Sequence, residues 1–388
     1  MLILSLALQA DMLHFYKSAV KNLQYSKTFS LYKHAATLSR DAVVYSQYAD
    51  FSLDASYANT KATLLPSSFN TSDITLSDTF DIFNKKSYLV DTIASDIKEK
   101  KFLLQHKKEQ LFSTLVTMIS LYHTQKQKLQ LNKKLYNEQK MLYDKLFILQ
   151  THGAISKLDL LRFKNTLTQL QTKIVQQKNE IVKMQKQLHL YAPKQAIPDL
   201  DRTIKASKKQ FLLQNPQLQA NKALTEQIIS QSKVLQNNYL PELSAGVGYQ
   251  KLGDPTSYGD NYSFTLALHI PLSKADQKEA EALRAKALSQ ESHSSDLKIQ
   301  RENKYIALLQ NYKSDQQQLE ILRANLHDYQ ESQKTVKAAF LKHYVDFNTY
   351  LQVLTQNLHI QEQIITLEQQ KARSATLLNG IGSGAIYE

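Results

Sequence analysis

Apolar residues recur along the chain with two different periods, and each period predicts its own kind of element. Residues 242–250 read Glu-Leu-Ser-Ala-Gly-Val-Gly-Tyr-Gln, which sets Leu243, Ala245, Val247 and Tyr249 on one face and Glu242, Ser244, Gly246, Gly248 and Gln250 on the other. Phe264, Leu266, Leu268 and Ile270 alternate in the same way with Ser263, Thr265, Ala267 and His269. Period-two alternation predicts strands, here at about 241–251 and 261–271. The connector 251–261 carries Gly-Asp-Pro and Tyr-Gly-Asp, which is turn chemistry. An earlier pair is expected at about 45–58 and 73–83. There Phe51, Leu53, Ala55 and Tyr57 oppose Asp50, Ser52, Asp54 and Ser56, and Ile74, Leu76, Phe80 and Ile82 oppose Thr75, Ser77, Thr79 and Asp81. Asp78 interrupts that apolar face once, and the connector 58–73 is rich in Ser, Thr and Asn and holds Pro66.

Between and after these pairs the period changes to 3.5. Leu104, Leu111, Leu115, Met118, Tyr122, Leu129, Tyr136, Tyr143 and Leu146 follow a three-four spacing. So do Tyr305, Leu308, Tyr312, Leu319, Leu322, Leu326, Tyr329, Val336 and Phe340, with Asp315 and Gln333 in the skipped places. Such seams mean long helices packed side by side. Helix breakers are absent where the seams run: only Gly153 stands between Pro66 and Pro193, and no Gly or Pro between Pro271 and Gly380. At about 1.5 Å per residue, residues 86–150 would extend roughly 100 Å, far beyond the need of a globular core. Taken alone, these segments also fit a filament or a cytoplasmic coiled coil.

Composition narrows the chemistry. The chain has 388 residues, a net charge of +13, no Cys and no Trp. No disulfide, Cys-ligated zinc or thiol nucleophile is possible, and no run of 18 apolar residues offers a helical membrane span. Phosphate-cradling glycine loops, His-Glu-x-x-His and Gly-x-Ser-x-Gly are absent, and the 11 histidines form no i,i+4 pair. No catalytic, cofactor or metal residue is therefore assigned, and an enzyme is not expected. The strands suit either a soluble sandwich or a transmembrane barrel, for which Tyr45, Tyr48, Tyr57, Tyr249, Tyr258 and Tyr262 would supply an aromatic girdle. Four strands close no membrane barrel, and open edges are not tolerated in lipid, so a barrel needs several copies.

The order helix, strand pair, long helix, break, helix occurs twice, as expected for one structural unit used twice: residues 11–192 with a tip near 153, and residues 193–388 with a tip near 344. Gly153 and Asp159 line up with Tyr344 and Tyr350, Leu160 with Leu351, and Asn165 with Gln356. Residues 1–10 are apolar and end Leu8-Gln9-Ala10, which suggests the remnant of a signal peptide, although the basic start of such a segment is missing.

From about residue 11 onward the chain resembles the TolC-like outer membrane factors of bacterial efflux and type I secretion. Asn215-Pro216-Gln217-Leu218 followed by Leu240-Pro241-Glu242-Leu243 resembles that family's passage from helix to barrel, and Leu268-His269-Ile270-Pro271-Leu272 its return. Tyr350-Leu351-Gln352-Val353-Leu354-Thr355-Gln356-Asn357-Leu358 resembles the second tip motif and Gly153 to Asp159 the first. The glycine-bearing close at Leu378 to Gly384 is similar too. Departures exist: Thr355 replaces the Ala of the family's Ala-Gln pair, Tyr344 stands where a glycine is common, and Tyr48-Ala49 weakens the first barrel passage.

The resemblance implies a mainly α fold with a small β part. Long antiparallel coiled-coil helices would form a trimeric α-barrel, and four strands per protomer a shared 12-stranded barrel in the outer membrane of a Gram-negative bacterium. It implies a passive gated conduit for small molecules or ions, a homotrimer, outer-membrane lipid, a periplasmic adaptor and an inner-membrane transporter as partners. A type I protein-secretion conduit of the same fold, or a soluble structural coiled-coil protein, is the alternative. The implied pore constriction falls on Asp159, Asp346 and Tyr350, the tip and adaptor contacts on Gly153, Ser156, Leu160, Tyr344 and Leu351, and the barrel lumen on Asp50, Asp54, Glu242 and Ser244. Asp159 and Asp346 are equally readable as helix-start residues. Residues 85–192 hold 20 Lys and Arg against 8 Asp and Glu, whereas residues 273–379 hold 14 against 13. Because these lysines form no compact patch with stacking aromatics, a solvated face is expected and nucleic acid is not.

Overall fold

The computed structural model describes residues 2–48, 51–61, 68–152, 155–254, 257–270, 274–342 and 344–388. In chain order the elements are α1 (Leu2–Asn22), α2 (Tyr25–Tyr48), β1 (Ser52–Lys61), β2 (Ser68–Phe80), α3 (Lys85–Thr151), α4 (Lys157–Tyr191), α5 (Lys208–Leu213), α6 (Pro216–Asn237), β3 (Glu242–Asp254), β4 (Ser257–His269), α7 (Ala275–Leu341) and α8 (Phe347–Ser383). Two compact units result: Met1–Ser26, Gln105–Asn215 and Ile299–Glu388 form the first, and Lys27–Leu104 and Pro216–Lys298 the second. The two 67-residue helices, α3 and α7, contribute to both. Among the described residues no helix is long and apolar enough to cross a membrane.

The second unit is built on one antiparallel sheet of order β1-β2-β3-β4. Its register aligns like with like. Leu53, Leu76, Val247 and Phe264 form one row across all four strands, and Ala55, Ile74, Tyr249 and Tyr262 the next on the same face. Ser52, Ser77, Gly246 and Thr265 form a row on the opposite face, as do Asp54, Thr75, Gly248 and Ser263. The glycines let the polar rows approach: a Cβ on Gly248 would lie 2.5 Å from Ser263 Oγ. Four helical segments continue the sheet. Lys86 Nζ donates to Ser46 O between α3 and α2, Asn237 Nδ2 at the end of α6 donates to Phe83 O just before α3 at 2.7 Å, and Ser232 Oγ joins α6 to Ala280 O of α7 at 2.9 Å. The helices thus follow the order α2-α3-α6-α7, which is the order of the strands they lead to or from. The turn from β2 into α3 is fixed by Asn84, in the left-handed region at φ 58, and by the Asp81 carboxylate, which accepts from the Lys85 and Lys86 amides at 2.9 and 2.8 Å.

The strands are longer and placed differently from the alternation alone. Residues 45–48 belong to α2, so Tyr45 and Tyr48 stand on a helix and not in the sheet. Tyr45 follows Leu31 and Leu38 at intervals of seven, a helical face that a strand-length window does not reveal. β2 begins at Ser68, and β3 and β4 run to Asp254 and from Ser257, because residues read as a connector continue the ladder. Of the expected girdle, Tyr57, Tyr249 and Tyr262 lie on the apolar face, the last two 5.4 Å apart. Asp50, Gly153, Pro271 and Leu272 lie outside the described residues.

The first unit holds the apolar core. Met12, Phe15, Tyr16 and Ala19 of α1 pack on Leu111, Phe112, Leu115 and Ile119 of α3 and on Leu378 and Ile381 of α8, all of them buried. α8 approaches α3 so closely that a Cβ on Gly380 would stand 2.3 Å from the Phe112 ring. The seams read from the sequence are the buried faces of the helices: Leu111, Leu115, Tyr122 and Leu146 on α3, and Leu308, Asp315, Leu319 and Phe340 on α7, are buried, while Tyr329 is exposed.

Candidate functional site

The two helical hairpins of the first unit end in one aromatic cluster. Leu142 and Leu146 of α3, Leu160 and Phe163 of α4, Phe340 of α7, and Phe347, Tyr350 and Leu354 of α8 are buried together. Phe163 stacks on Tyr350 at 6.4 Å and meets Phe347 at 5.6 Å, and Phe340 stacks on Tyr350 at 5.2 Å. Aromatic contacts of this kind contribute beyond the area they bury. Tyr350 is fully buried and donates to Gln139 Oε1 at 2.8 Å. Burial lifts its hydroxyl to about 12. In this structure Tyr350 joins one hairpin to the other. Leu160 is likewise core, and Leu351 packs at its margin.

The exposed tip residues are different. Tyr344 is 79% exposed, its backbone held by a bond to Ala339 O at 2.9 Å. Ser156 caps α4, accepting from the Asp159 amide at 3.0 Å and lying 2.7 Å from the Asp159 carboxylate, which Arg162 approaches to 3.8 Å. Asp346 caps α8 by accepting from the Thr349 amide at 2.8 Å, and the bonds from Thr349 hold its carboxyl below the usual carboxylate range. Both carboxylates therefore do helix-start work, and Asp346 is the exposed one of the two. Further along the hairpins a polar layer sets the register: fully buried Asn132 donates to Gln177 at 3.0 Å and to Glu362 at 3.3 Å, and Lys173 meets Glu362 at 2.6 Å. Buried polar residues in coiled coils fix register at some cost in stability.

The sheet offers the second candidate surface. Asp54, Asp73, Glu242 and Ser244 lie on its polar face with Ser52, Thr75 and Gln250. No Lys or Arg stands on that face between Ser52 and Ser56, Ser72 and Phe80, Glu242 and Lys251, or Asp260 and His269. The other face leaves Leu53, Val247, Phe264 and Leu268 uncovered by any part of the unit, at 69, 54, 75 and 60% exposure. Among the described residues β1 and β4 are each paired on one side only.

Sequence reasoning missed one charged cluster. Glu109 of α3, almost fully buried, accepts from Arg301 at 2.7 Å, Lys304 at 2.6 Å and the Tyr387 hydroxyl at 2.6 Å. Arg301 also lies over the Phe211 ring at 4.3 Å and donates to the Phe211 and Gln214 carbonyls. Burial alone would raise the Glu109 carboxyl, but Lys304 and Arg301 outweigh it and hold the group below its ordinary value. The signal in the sequence is slight: Glu109 sits two residues from the seam position Leu111. Among the described residues, no three His, Asp or Glu side chains gather as a metal site.

Solved outer-membrane proteins share this fold. VceC, an outer membrane protein of Vibrio cholerae, matches with a TM-score of 0.80 at 12% identity over 96% of this chain and 96% of that one. The CmeC outer membrane channel of Campylobacter jejuni matches with a TM-score of 0.80 at 15% identity over 97% and 86%, and the outer-membrane channel OprN with 0.82 at 13% over 97% and 91%. No protein-family model matches the chain, and no curated protein matches it. The long helices and four antiparallel strands are thus the TolC-like channel fold that the sequence resembles.

Proposed function

We propose that this chain is the outer-membrane channel of a tripartite efflux system, a passive conduit in which no bond is made or broken. The sheet carries the reading. One face is apolar and bare, the other polar, and both edges lack a partner. In water such a sheet is an aggregation template, and in lipid its open edges are not tolerated. Three copies joined edge to edge, β4 to the next β1, give a closed barrel of about twelve strands, with Leu53, Val247 and Phe264 toward lipid and Asp54, Glu242 and Ser244 toward a hydrated lumen. The channel folds of VceC, CmeC and OprN support this arrangement. An adaptor docks at the exposed tip residues Ser156 and Tyr344 and links the channel to an inner-membrane transporter. Asp346, with Asp159 beside the α4 cap, is the carboxylate that would face the passage at the tips. Purified in detergent, the protein is expected to have the mass of three copies by light scattering and to conduct ions as single channels in planar bilayers. A monomer that stays dispersed without detergent, or a trimer that gives no conductance, overturns the reading.

A further inference from the structure

One cavity of the first unit has no part in the conduit reading. It holds about 290 Å³ and is walled by α3, α7, α8 and the segment between α4 and α5, all from one copy and one unit. Its floor is apolar: Leu200, Leu319 and Ala372 are buried at 6, 4 and 6% exposure. Toward solvent it is lined by exposed Arg202 and Arg323 and half-buried Lys371. Two carboxylates line it as well. Glu368 pairs with Arg323, and Asp199 faces the His123 imidazole at 3.6 Å. Among the described residues neither Arg202 nor Lys371 has a carboxylate within 4.0 Å. The walls are held by bonds of their own. His123 Nε2 lies 2.9 Å from the Pro198 carbonyl, Thr376 Oγ1 accepts from the Asp201 amide at 2.7 Å, and Asn379 Oδ1 accepts from the Lys205 amide at 2.6 Å. Tyr312 brings the two uncompensated cations together: its hydroxyl donates to the Arg202 carbonyl at 3.4 Å, and the Lys371 ammonium lies over its ring, 5.0 Å from the centroid.

We propose that this cavity binds a small organic monoanion, an apolar ring or short chain that carries one carboxylate. Three cations against two carboxylates leave the lining with an excess of one positive charge. Like charges held together without a counter-charge repel, and one bound carboxylate offsets that cost. Arg and Lys are the donors a carboxylate takes, Arg through two parallel N–H groups. The apolar floor gives the rest of such a ligand a place out of water. Pockets for drug-sized molecules hold about 300–1,000 Å³, so this one, at the lower end, suits a smaller molecule. A bare oxyanion leaves Leu200, Leu319 and Ala372 without a role. An uncharged apolar molecule leaves Arg202 and Lys371 uncompensated. The inference stands apart from the conduit reading and does not need the protein to transport anything.

The test uses the full-length protein in detergent and salicylate, whose own fluorescence reports binding. Half-saturation is expected at or below about 1 mM, the range of a well-held fragment. Benzoate should displace the probe, and benzyl alcohol, similar in size but uncharged, should do so at least about tenfold more weakly. Arg202→Gln with Lys371→Gln should weaken salicylate binding at least about tenfold at an unchanged melting temperature. Lys313→Gln, which removes a cation of α7 that does not line the cavity, should leave binding as it is. No saturable binding, full binding by the double variant, or equal displacement by benzoate and benzyl alcohol overturns the proposal. So does displacement by inorganic phosphate as strong as by benzoate, because the apolar floor would then contribute nothing. A fall from oligomer to protomer mass in the double variant also overturns it, by making these cations an interface between copies.

Discussion

In the first unit Phe15, Phe112, Leu115 and Ile381 are removed from water by other residues of the same chain, and so are Glu109 and Arg301. In the second unit Leu53, Val247, Phe264 and Leu268 are as apolar but stay bare, and the strands that carry them end in two unpaired edges. The first unit buries an apolar core of its own. The sheet is regular yet unfinished. Under the proposed reading the second unit's sheet is completed by lipid and further copies, whereas the core of the first unit is closed by its own chain.

The largest effect is expected in the finished unit. Glu109→Gln keeps the shape but leaves Arg301 and Lys304 facing a neutral amide at a buried site, and removing one partner of a buried pair costs about 3–5 kcal/mol. Urea unfolding followed by far-ultraviolet circular dichroism should show it. The pH dependence has a definite sign. The folded Glu109 carboxyl lies below its ordinary value because Lys304 and Arg301 outweigh burial. Its contribution is thus full above the unfolded value of about 4.3 and is lost as pH falls through the folded one. Wild type should lose stability steeply below about pH 4.3, and the Gln variant less so. Equal acid profiles would falsify the role given to this cluster.

The next effect belongs to the unfinished sheet. Val247→Arg puts a charge in the row Leu53, Leu76, Val247 and Phe264; on a lipid-facing surface near the bilayer middle this costs about 2–4 kcal/mol. Thr75→Arg, one residue from Leu76 but on the polar face, should cost little stability and change conductance instead. Folding into lipid vesicles, read by resistance of the barrel to denaturation on a gel, separates the two. If both variants insert equally well, the assignment of faces is wrong.

Much of this contrast was legible in the residues. Period two located all four strands and gave each face correctly, since a one-residue slip would exchange Val247 with Gly246 and expose the error at once. Period 3.5 located α3 and α7. The first strand pair was the least accurate, because Tyr45 and Tyr48 fit a strand locally and only the interval from Leu31 through Leu38 shows the helix. Side-chain roles at the tips were not legible. Tyr350 and Leu160 look like surface residues of a motif, but the meeting of two hairpins, a contact between residues about 190 apart in sequence, buries both. Glu109 escaped for the same reason: its partners Arg301 and Tyr387 arrive from distant segments.

The smallest effects separate the two hairpin tips within the finished unit. α4 starts on a hydroxyl, Ser156, and α8 on a carboxylate, Asp346. Losing a Ser cap costs about 1 kcal/mol, so Ser156→Ala should speed amide exchange over residues 157–160. Asp346 behaves differently because the bonds from Thr349 depress its carboxyl. Its cap is complete above the unfolded value of about 3.9 and is lost as pH falls through the lower folded value. Exchange over residues 347–350, corrected for its intrinsic acid dependence, should therefore quicken on acidification, and Asp346→Asn, which keeps a capping oxygen that does not titrate, should remove that change. A first turn of α8 whose protection does not respond to pH in wild type would mean that Asp346 holds the tip by packing and not by its charge.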